Sequence, residues 1–212
     1  MPGLTFPPFP DNVPTIQLVV IDFALLRAGD AAEIERLWKA ATELGFWCLK
    51  NHGAEELADS MFDVGERTME LPLDEKMQFV PNGEGGSYEH AGANYVDPSG
   101  APEVTEFLNI SKNDALAYPA VFHRTYPRTV MERMETVVRP FVLKGLEVNE
   151  TILRILNDKL GLPEGALAQR HQREKSSNCE ARTLRAPPTV GWNADKATLG
   201  AHTDFGSLAS RS

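Results

Sequence analysis

Two residues near the end of the sequence have the types and the spacing of metal ligands. They are His202 and Asp204, within the stretch TLGAHTDFGSL at 198–208. Alternate side chains of an extended strand share a face, so an imidazole and a carboxylate two positions apart can grip one ion. They would fill two corners of the two-His, one-carboxylate arrangement that holds non-haem Fe(II). We predict both as metal ligands; the alternative is a strand-end histidine with a turn residue before Gly206.

Three other histidines are weaker candidates. His171 or His123 could add a ligand to the predicted pair in a hydrolytic metal site, but no motif surrounds either residue. His52 precedes the turn residue Gly53, a setting typical of a structural hydrogen-bonding residue. The basic run at 170–175 is compatible with a phosphate or carboxylate site, although a solvated surface explains it more simply.

The first part of the chain alternates strand and helix signals. A β-branched run predicts a buried strand at 16–22, and a second apolar run predicts a strand at 46–49. Between them, Asp30 and Glu33 form a capping-box-like start to a helix whose apolar residues recur at helical spacing. Further helices are predicted in the sequence that follows, one of them starting at Pro72.

The segment 81–102 is rich in glycine and proline and is predicted as a loop. Its glycines neither follow a strand nor open a helix, which excludes a phosphate or dinucleotide cradle. Long ordered loops are often lids, so Tyr88 and Tyr95 could face a substrate; exposed coil is the equal alternative.

A long helix and a second β region are predicted to follow. The helix, at about 128–160, has one apolar stripe that we interpret as core packing, and Pro140 is expected to kink it. The other predicted segments are strands at 103–110, 180–185 and 198–204 and a loop at 187–196.

Composition limits the function classes. The 212 residues are 42% hydrophobic and 24% charged, as in soluble globular proteins. The net charge of −9 argues against general nucleic-acid binding, while the 15 basic and 11 acidic residues of 111–212 would suit an anionic small molecule. No apolar run approaches the ~20 residues that span a bilayer. Cys48 and Cys179 form no CxxC motif, and a signal-peptide pattern is absent, so we expect a reducing, cytoplasmic setting without membrane partners.

Several motifs in a fixed order carry a family resemblance. They are IDF, EIERLWKAATELGFWCLKNHG, LPLDEKM, EFLNI, the long helix and LGAHTDFGSL. Together they resemble the isopenicillin N synthase-like branch of the Fe(II)/2-oxoglutarate-dependent oxygenases over 16–208. The resemblance implies an α+β fold, in which a mixed α/β N-terminal module and a long helix precede an incomplete double-stranded β-helix, or jelly roll. The implied parts are a Pro-rich arm (1–15), the N-terminal non-haem dioxygenase module (16–120), the long helix with a connecting segment (121–178) and the first jelly-roll strands (179–212).

The resemblance also implies cofactors. His202 and Asp204 would bind ferrous iron with a distal histidine, and 2-oxoglutarate would chelate the iron and pair with the Arg of an Arg-x-Ser motif. Nothing in these 212 residues matches the distal His, the Arg or the Ser. Where such enzymes often place a cosubstrate-positioning tyrosine before a proline, this chain has Ala186. The change to Ala-Ser-Arg-Ser at 209–212 leads us to expect a C-terminally truncated product.

The expected function follows from the same resemblance. It is the oxidation of a small organic molecule by hydroxylation, desaturation or ring closure, with the 212 residues inactive because the remaining iron and cosubstrate contacts are missing. A keto-acid-independent oxidase stays open within this interpretation. The alternative is a non-catalytic binding or regulatory protein derived from the family.

Overall fold

A computed structural model describes residues 14–81, 86–93, 103–120, 123–186 and 206–210. Within these ranges the fold combines short strands with longer helices, as the α+β prediction requires. The chain divides into two compact units: unit 1 is Met1–Glu56 with Lys144–Lys175, and unit 2 is Leu57–Leu143 with Ser176–Ser212. Among the helices of the described ranges, none has both the length and the apolar character needed to cross a bilayer.

Unit 1 contains a two-stranded parallel sheet and its helices. Strand β1 (Val20–Asp22) pairs in parallel with β2 (Cys48–Lys50), and the connection between them carries α1 (Phe23–Ala28) and α2 (Ala31–Glu43). Parallel strands need such a crossover because a tight turn cannot join them. The buried apolar side chains of these elements are Ile21, Phe23, Leu26, Leu37 and Ala40.

Two aspartates start the helices of unit 1. Asp22 accepts a hydrogen bond from Ala24 N (3.0 Å), and Asp30 accepts one from Glu33 N (2.8 Å). The predicted N-cap at Asp30 is therefore confirmed. The reciprocal half of the capping box is absent, because Glu33 Oε1 instead accepts from Asp22 N (2.6 Å). Glu33 thus ties the start of α2 to the end of β1.

The predicted strands of unit 1 are longer than the observed ones. The strand predicted at 16–22 ends at Asp22 as expected but begins only at Val20, because β2 offers three partner residues. Helix α1, which Asp22 caps, is not indicated by the sequence pattern. The strand predicted at 46–49 begins later, at Cys48, and Phe46 is 68% exposed. His52 Nδ1 accepts from Ala54 N (3.2 Å), which confirms its structural role.

Unit 2 is built on a three-stranded antiparallel sheet. The strand order is β3 (Tyr88–Glu89), β4 (Glu106–Ser111) and β5 (Glu180–Arg185). The β4–β5 register runs from Glu106↔Arg185 to Ser111↔Glu180. The observed β5 confirms the predicted strand at 180–185, whereas β4 begins later than the strand predicted at 103–110. The helices that contribute residues to this unit include α3 (Glu55–Met69), α4 (Leu73–Lys76), α5 (Lys112–Ala117) and α6 (Arg128–Met131).

Helix α3 lies directly against β5. A Cβ added at Gly65 would be 2.9 Å from both the Cβ and the Oγ1 of Thr183, closer than side-chain carbons approach. Only a glycine allows this helix backbone to lie so close to the strand. Pro72 precedes α4 as its N-cap residue, so the predicted helix start at Pro72 is confirmed.

The long predicted helix is interrupted before Pro140. A π-helical turn (Met134–Val138) separates α6 from α7 (Arg139–Lys159), and Val138 N bonds Arg133 O at 3.1 Å. Proline lacks an N–H and clashes with the carbonyl four residues earlier, but the first turn of a helix tolerates it. The interruption replaces the predicted kink within one helix. The core-packing interpretation of the stripe is confirmed by its buried members Val130, Met134, Val137, Val138, Ile152 and Leu153.

Candidate functional site

A buried carboxylate lies at the end of β5, the last strand that the described residues contain. Glu106, at the start of β4, is 6% exposed. Its Oε2 accepts from Lys76 Nζ (2.8 Å) and Tyr88 OH (2.5 Å), and its Oε1 accepts from Arg185 Nε (2.5 Å). We call Lys76, Tyr88, Glu106 and Arg185 the Glu106 cluster. It joins α4 and all three strands of the sheet.

Lys76 is fully engaged although its side chain is buried. Its ammonium donates to Met69 O (2.8 Å) as well as to Glu106, and it lies 5.2 Å from the centre of the Tyr88 ring. A buried cation is tolerated only when it is paired and hydrogen-bonded in this way. The charge of Lys76 is therefore compensated by Glu106. The half-exposed side chain of Arg185 pairs with the other oxygen of Glu106.

The protonation states of the cluster follow from its geometry. Burial alone would raise the pKa of Glu106, but the hydrogen bonds from Lys76, Tyr88 and Arg185 outweigh it and hold the pKa below the usual range. Burial, reinforced by the bond to Glu106, raises the pKa of Tyr88. Glu106 is thus an anion and Tyr88 a neutral donor at neutral pH.

The opposite face of the sheet carries a polar row across the three strands. Glu89 accepts from Asn109 Nδ2 (2.7 Å), and Asn109 Oδ1 accepts from Arg182 Nε (2.6 Å). The Arg182 guanidinium lies 5.0 Å from the centre of the Phe107 ring and 3.4 Å from Glu180 Oε2. This row crosses both strand pairs, and with the Glu106 cluster it holds β5 from both faces.

Comparison with known proteins identifies the family of the chain. Residues 18–133 match the family described as "non-haem dioxygenase in morphine synthesis N-terminal". The chain belongs to this non-haem dioxygenase family. A 2-oxoglutarate-dependent dioxygenase of Aspergillus fumigatus is 28% identical over 95% of this chain and 54% of its own length. The chain spans about half the length of the curated relatives it matches.

Solved structures show the same fold. A protein of Caulobacter crescentus assigned to the 2OG-Fe(II) oxygenase family superposes with a TM-score of 0.65 and 19% identity over 86% of this chain and 60% of that one. A full-length protein of Neurospora crassa, crystallised in complex with alpha-KG, gives a TM-score of 0.60 and 16% identity over 80% of this chain and 54% of that one. These likenesses, with the family match, confirm the resemblance and the fold class expected from the sequence.

The predicted ligands of the dioxygenase lie outside the described residues. His202 and Asp204 fall in 187–205, together with the predicted loop and strand of that segment, so they stay predictions. Within the described ranges, no three His, Cys, Asp or Glu side chains are grouped so that they could hold a metal. The imidazole and carboxylate of this pair are donors that Fe(II) accepts, so the chemistry of the donor set fits the expected metal.

His123 and its neighbours belong to a structural clamp. His123 N and Arg124 N donate to the fully buried carboxylate of Asp114 (2.5 and 3.2 Å), which also accepts from Tyr126 OH (2.5 Å). Tyr126 OH in turn accepts from Ser111 N (3.1 Å). Burial and the bond to Asp114 raise the pKa of Tyr126, so it stays a neutral donor. These contacts fix the segment after α5.

His171 lines a small surface pocket of unit 1, of about 180 Å³. Its neighbour Arg173, part of the predicted basic run, makes a two-pronged ion pair with Glu150, with Nη2 to oxygen distances of 2.8 and 2.7 Å. That bond to Glu150 raises the pKa of the Arg173 guanidinium. One arginine of the run is thus neutralised by a protein carboxylate, which favours the solvated-surface interpretation.

The sequence does not predict the Glu106 cluster, and the structure corrects the placement of one member. The loop prediction puts Tyr88 on a lid or in exposed coil, but it is 1% exposed in β3 and its hydroxyl donates to Glu106. The alternation of side chains along β4 indicates that Glu106 is buried, because Glu106, Leu108 and Ile110 share one face of the strand and the last two are fully buried. A carboxylate in line with two core residues predicts buried cationic partners. Tyr95 lies outside the described residues.

Proposed function

We propose that this chain provides the N-terminal module and two metal ligands of an Fe(II)/2-oxoglutarate-dependent oxidoreductase that acts on a small organic molecule. Hydroxylation, desaturation and ring closure are the reaction types open to it. Support comes from the family match over 18–133 and from the 2-oxoglutarate-dependent dioxygenase of Aspergillus fumigatus along 95% of the chain. The Neurospora crassa protein that shares the fold was crystallised with alpha-KG.

The chain's own residues have two tasks in this proposal. His202 and Asp204 would hold Fe(II), and the Glu106 cluster keeps the strand that precedes them in register. When bound, the metal supplies the activation of oxygen that oxidation of the substrate requires, with 2-oxoglutarate as cosubstrate. The observation that carries the proposal is the family match over residues 18–133, in a chain that also contains the HTD motif at 202–204.

We further propose that the 212 residues alone do not turn over 2-oxoglutarate. They contain no histidine after His202 and no Arg-x-Ser sequence that follows a distal ligand, so neither that ligand nor a cation for the far carboxylate is supplied. Ala186 also offers no hydroxyl at the position where the family resemblance suggests a tyrosine. Metal held by two protein groups is bound more weakly than metal held by three.

Two measurements on the purified 212-residue chain test the proposal. In anaerobic equilibrium dialysis with Fe(II), we expect one site that His202→Ala and Asp204→Ala each abolish. His123→Ala and His171→Ala are the matched controls and should leave it unchanged. In air, with Fe(II), 2-oxoglutarate and ascorbate, succinate release should not exceed that of His202→Ala.

Each contrary result identifies a different error. Fe(II) binding that survives His202→Ala and Asp204→Ala would remove the ligand assignment and leave a non-catalytic binding protein as the better description. A loss in His171→Ala or His123→Ala equal to that in His202→Ala would favour the hydrolytic site. Succinate release above the His202→Ala background would show that the 212 residues are active.

A further inference from the structure

We propose that the uncovered face of the β1–β2 sheet is an interaction surface, and that its partner is the β-rich C-terminal half of a full-length dioxygenase. The inference rests on the proposed function in one respect, that the chain is the N-terminal module of such a protein. It assigns a binding role to residues of unit 1 that the predicted metal site does not contain, and its readout does not involve metal.

Helices cover one face of the β1–β2 sheet. Ile21 in β1 is fully buried, and helix α2, whose buried residues include Leu37 and Ala40, contacts β1. Successive residues of a strand point to opposite faces of a sheet. Val20, which precedes Ile21, therefore points away from these helices, and its side chain is 47% exposed.

The other face of the sheet is apolar and exposed. Val20 is the register partner of Cys48, which is also exposed. Phe46, 68% exposed, is two residues before Cys48, so an extended chain places it on the same side. We call Val20, Phe46 and Cys48 the open face. Asp22 and Lys50, at the carboxyl ends of the two strands, pair with each other at 3.4 Å, so these two charges compensate each other.

Both the open face and the strand edges call for a partner. Parallel sheets are normally covered on both faces, and contiguous exposed apolar side chains mark interaction surfaces. In the described part of the chain, β1 and β2 pair only with each other, which leaves each strand with a free edge of backbone N–H and C=O groups. A partner that satisfies both features supplies apolar side chains together with strand backbone.

The lengths of the relatives favour the rest of a dioxygenase chain as this partner. The curated relatives are about twice as long as the part of them that this chain matches. The double-stranded β-helix expected for the remainder is built from strands, so it offers apolar side chains and strand backbone at once. A nucleic acid or a small polar ligand fits poorly, because the charges beside the open face already pair with each other.

Cys48 allows the open face to be probed directly. Cys179→Ser leaves it as the single cysteine of the 212 residues, and maleimide labelling with peptide mass spectrometry then measures its exposure. The chain alone is compared with a fusion to the part of the Aspergillus fumigatus dioxygenase that follows the matched region. An effective concentration of about 1 mM and a dissociation constant of about 0.1 mM would slow labelling in the fusion about tenfold.

Phe46→Ser and Leu25→Ser form a matched pair of variants. Both replace an exposed apolar side chain of unit 1, but Leu25 lies on helix α1, outside the open face. We expect Phe46→Ser to weaken the contact at least about tenfold, which leaves about twofold protection of Cys48, and Leu25→Ser to keep the tenfold protection. In the chain alone, both variants should keep the wild-type urea midpoint, because the two side chains are already exposed.

Three results would overturn the inference. Equal labelling of Cys48 in the fusion and in the chain alone would mean that the rest of a dioxygenase does not cover the open face. Labelling of the chain alone that slows as its concentration rises would identify a second copy as the partner. A lower urea midpoint in Phe46→Ser than in Leu25→Ser would mean that the chain itself already covers the face. Absence of Fe(II) binding that depends on His202 would remove the proposed metal site and leave these three outcomes unaffected.

Discussion

Two groups of ion pairs, one in each unit, differ in their burial. In unit 2 the Glu106 cluster is buried except for the half-exposed Arg185, and its four members come from four different elements. In unit 1 one group of pairs lies on the surface along α7: Glu147 meets Arg27 and Lys144, and Glu150 meets Arg173. We call the second group the α7 ladder. Its side chains are between 24% and 61% exposed, against 5% and 7% for Lys76 and Glu106.

The difference in burial determines whether an ion pair fixes the position of an element or only adds a little stability. An exposed pair gains little because water already solvates both charges, and each side chain can leave its partner at small cost. A buried carboxylate cannot leave its partners at small cost, since every alternative arrangement leaves a charge without solvent or partner. The Glu106 cluster therefore fixes where β5 lies, whereas the α7 ladder adds modest stability to helices that their apolar contacts already place.

Glu106→Gln gives the strongest test of this difference between buried and surface pairs. The substitution keeps the size of the side chain but leaves the Lys76 ammonium buried without an anion. We expect the free energy of unfolding to fall by about 3–5 kcal/mol, as for other broken buried pairs. Urea denaturation followed by circular dichroism measures it. A loss below about 1 kcal/mol would place the cluster in the same class as surface pairs.

Acid should remove the same contribution from the wild type. The folded pKa of Glu106 lies below its unfolded value, so the stabilisation is complete above the unfolded pKa of about 4.3. It is lost progressively as the pH falls from there through the folded pKa. The stability difference between wild type and Glu106→Gln should thus be constant from neutral pH down to about 5 and shrink below about 4. A difference that stays constant to lower pH would contradict the assignment.

Two helical glycines give the next largest contrast. Gly65→Ala places a methyl group 2.9 Å from Thr183, so α3 and β5 must separate, and we expect a loss of about 1–3 kcal/mol. Gly145→Ala in α7 meets no atom within 4 Å and should stabilise by up to ~1 kcal/mol through helix propensity. Thermal denaturation of the two variants should show shifts of opposite sign. Shifts of the same sign would mean that the approach of α3 to β5 is not tight.

Local signals in the sequence were sufficient for several elements. Asp30 and Pro72 mark helix starts because the capping chemistry lies within a few residues of each. The sequence also predicts β5. It does not predict α1, because the N-cap residue of α1, Asp22, is the last residue of an apolar run that is typical of a strand. Strand β3 has two residues in a glycine-rich segment and leaves no pattern.

The contacts that hold the candidate site are long-range and could not be predicted in the same way. Glu106 is 30 residues from Lys76 and 79 from Arg185, so no local pattern links them. The π-helical turn before Pro140 was missed for a related reason, since proline predicts a disruption but not where the chain absorbs it. The ligand pair His202 and Asp204 rests on spacing and on the family resemblance, and it remains a prediction.

The smallest expected effect belongs to the α7 ladder. Glu150→Gln removes a charged partner of Arg173, whose side chain is 39% exposed, so the guanidinium can turn to water. We expect a loss below about 1 kcal/mol at low salt that vanishes near 1 M salt, where charges are screened beyond about 3 Å. The penalty of Glu106→Gln should persist under the same conditions because ions do not reach a buried ammonium. Urea denaturation of both variants at the two salt concentrations therefore distinguishes a buried pair that fixes a strand from a surface pair on a helix. A salt-resistant loss of stability in Glu150→Gln would contradict this difference.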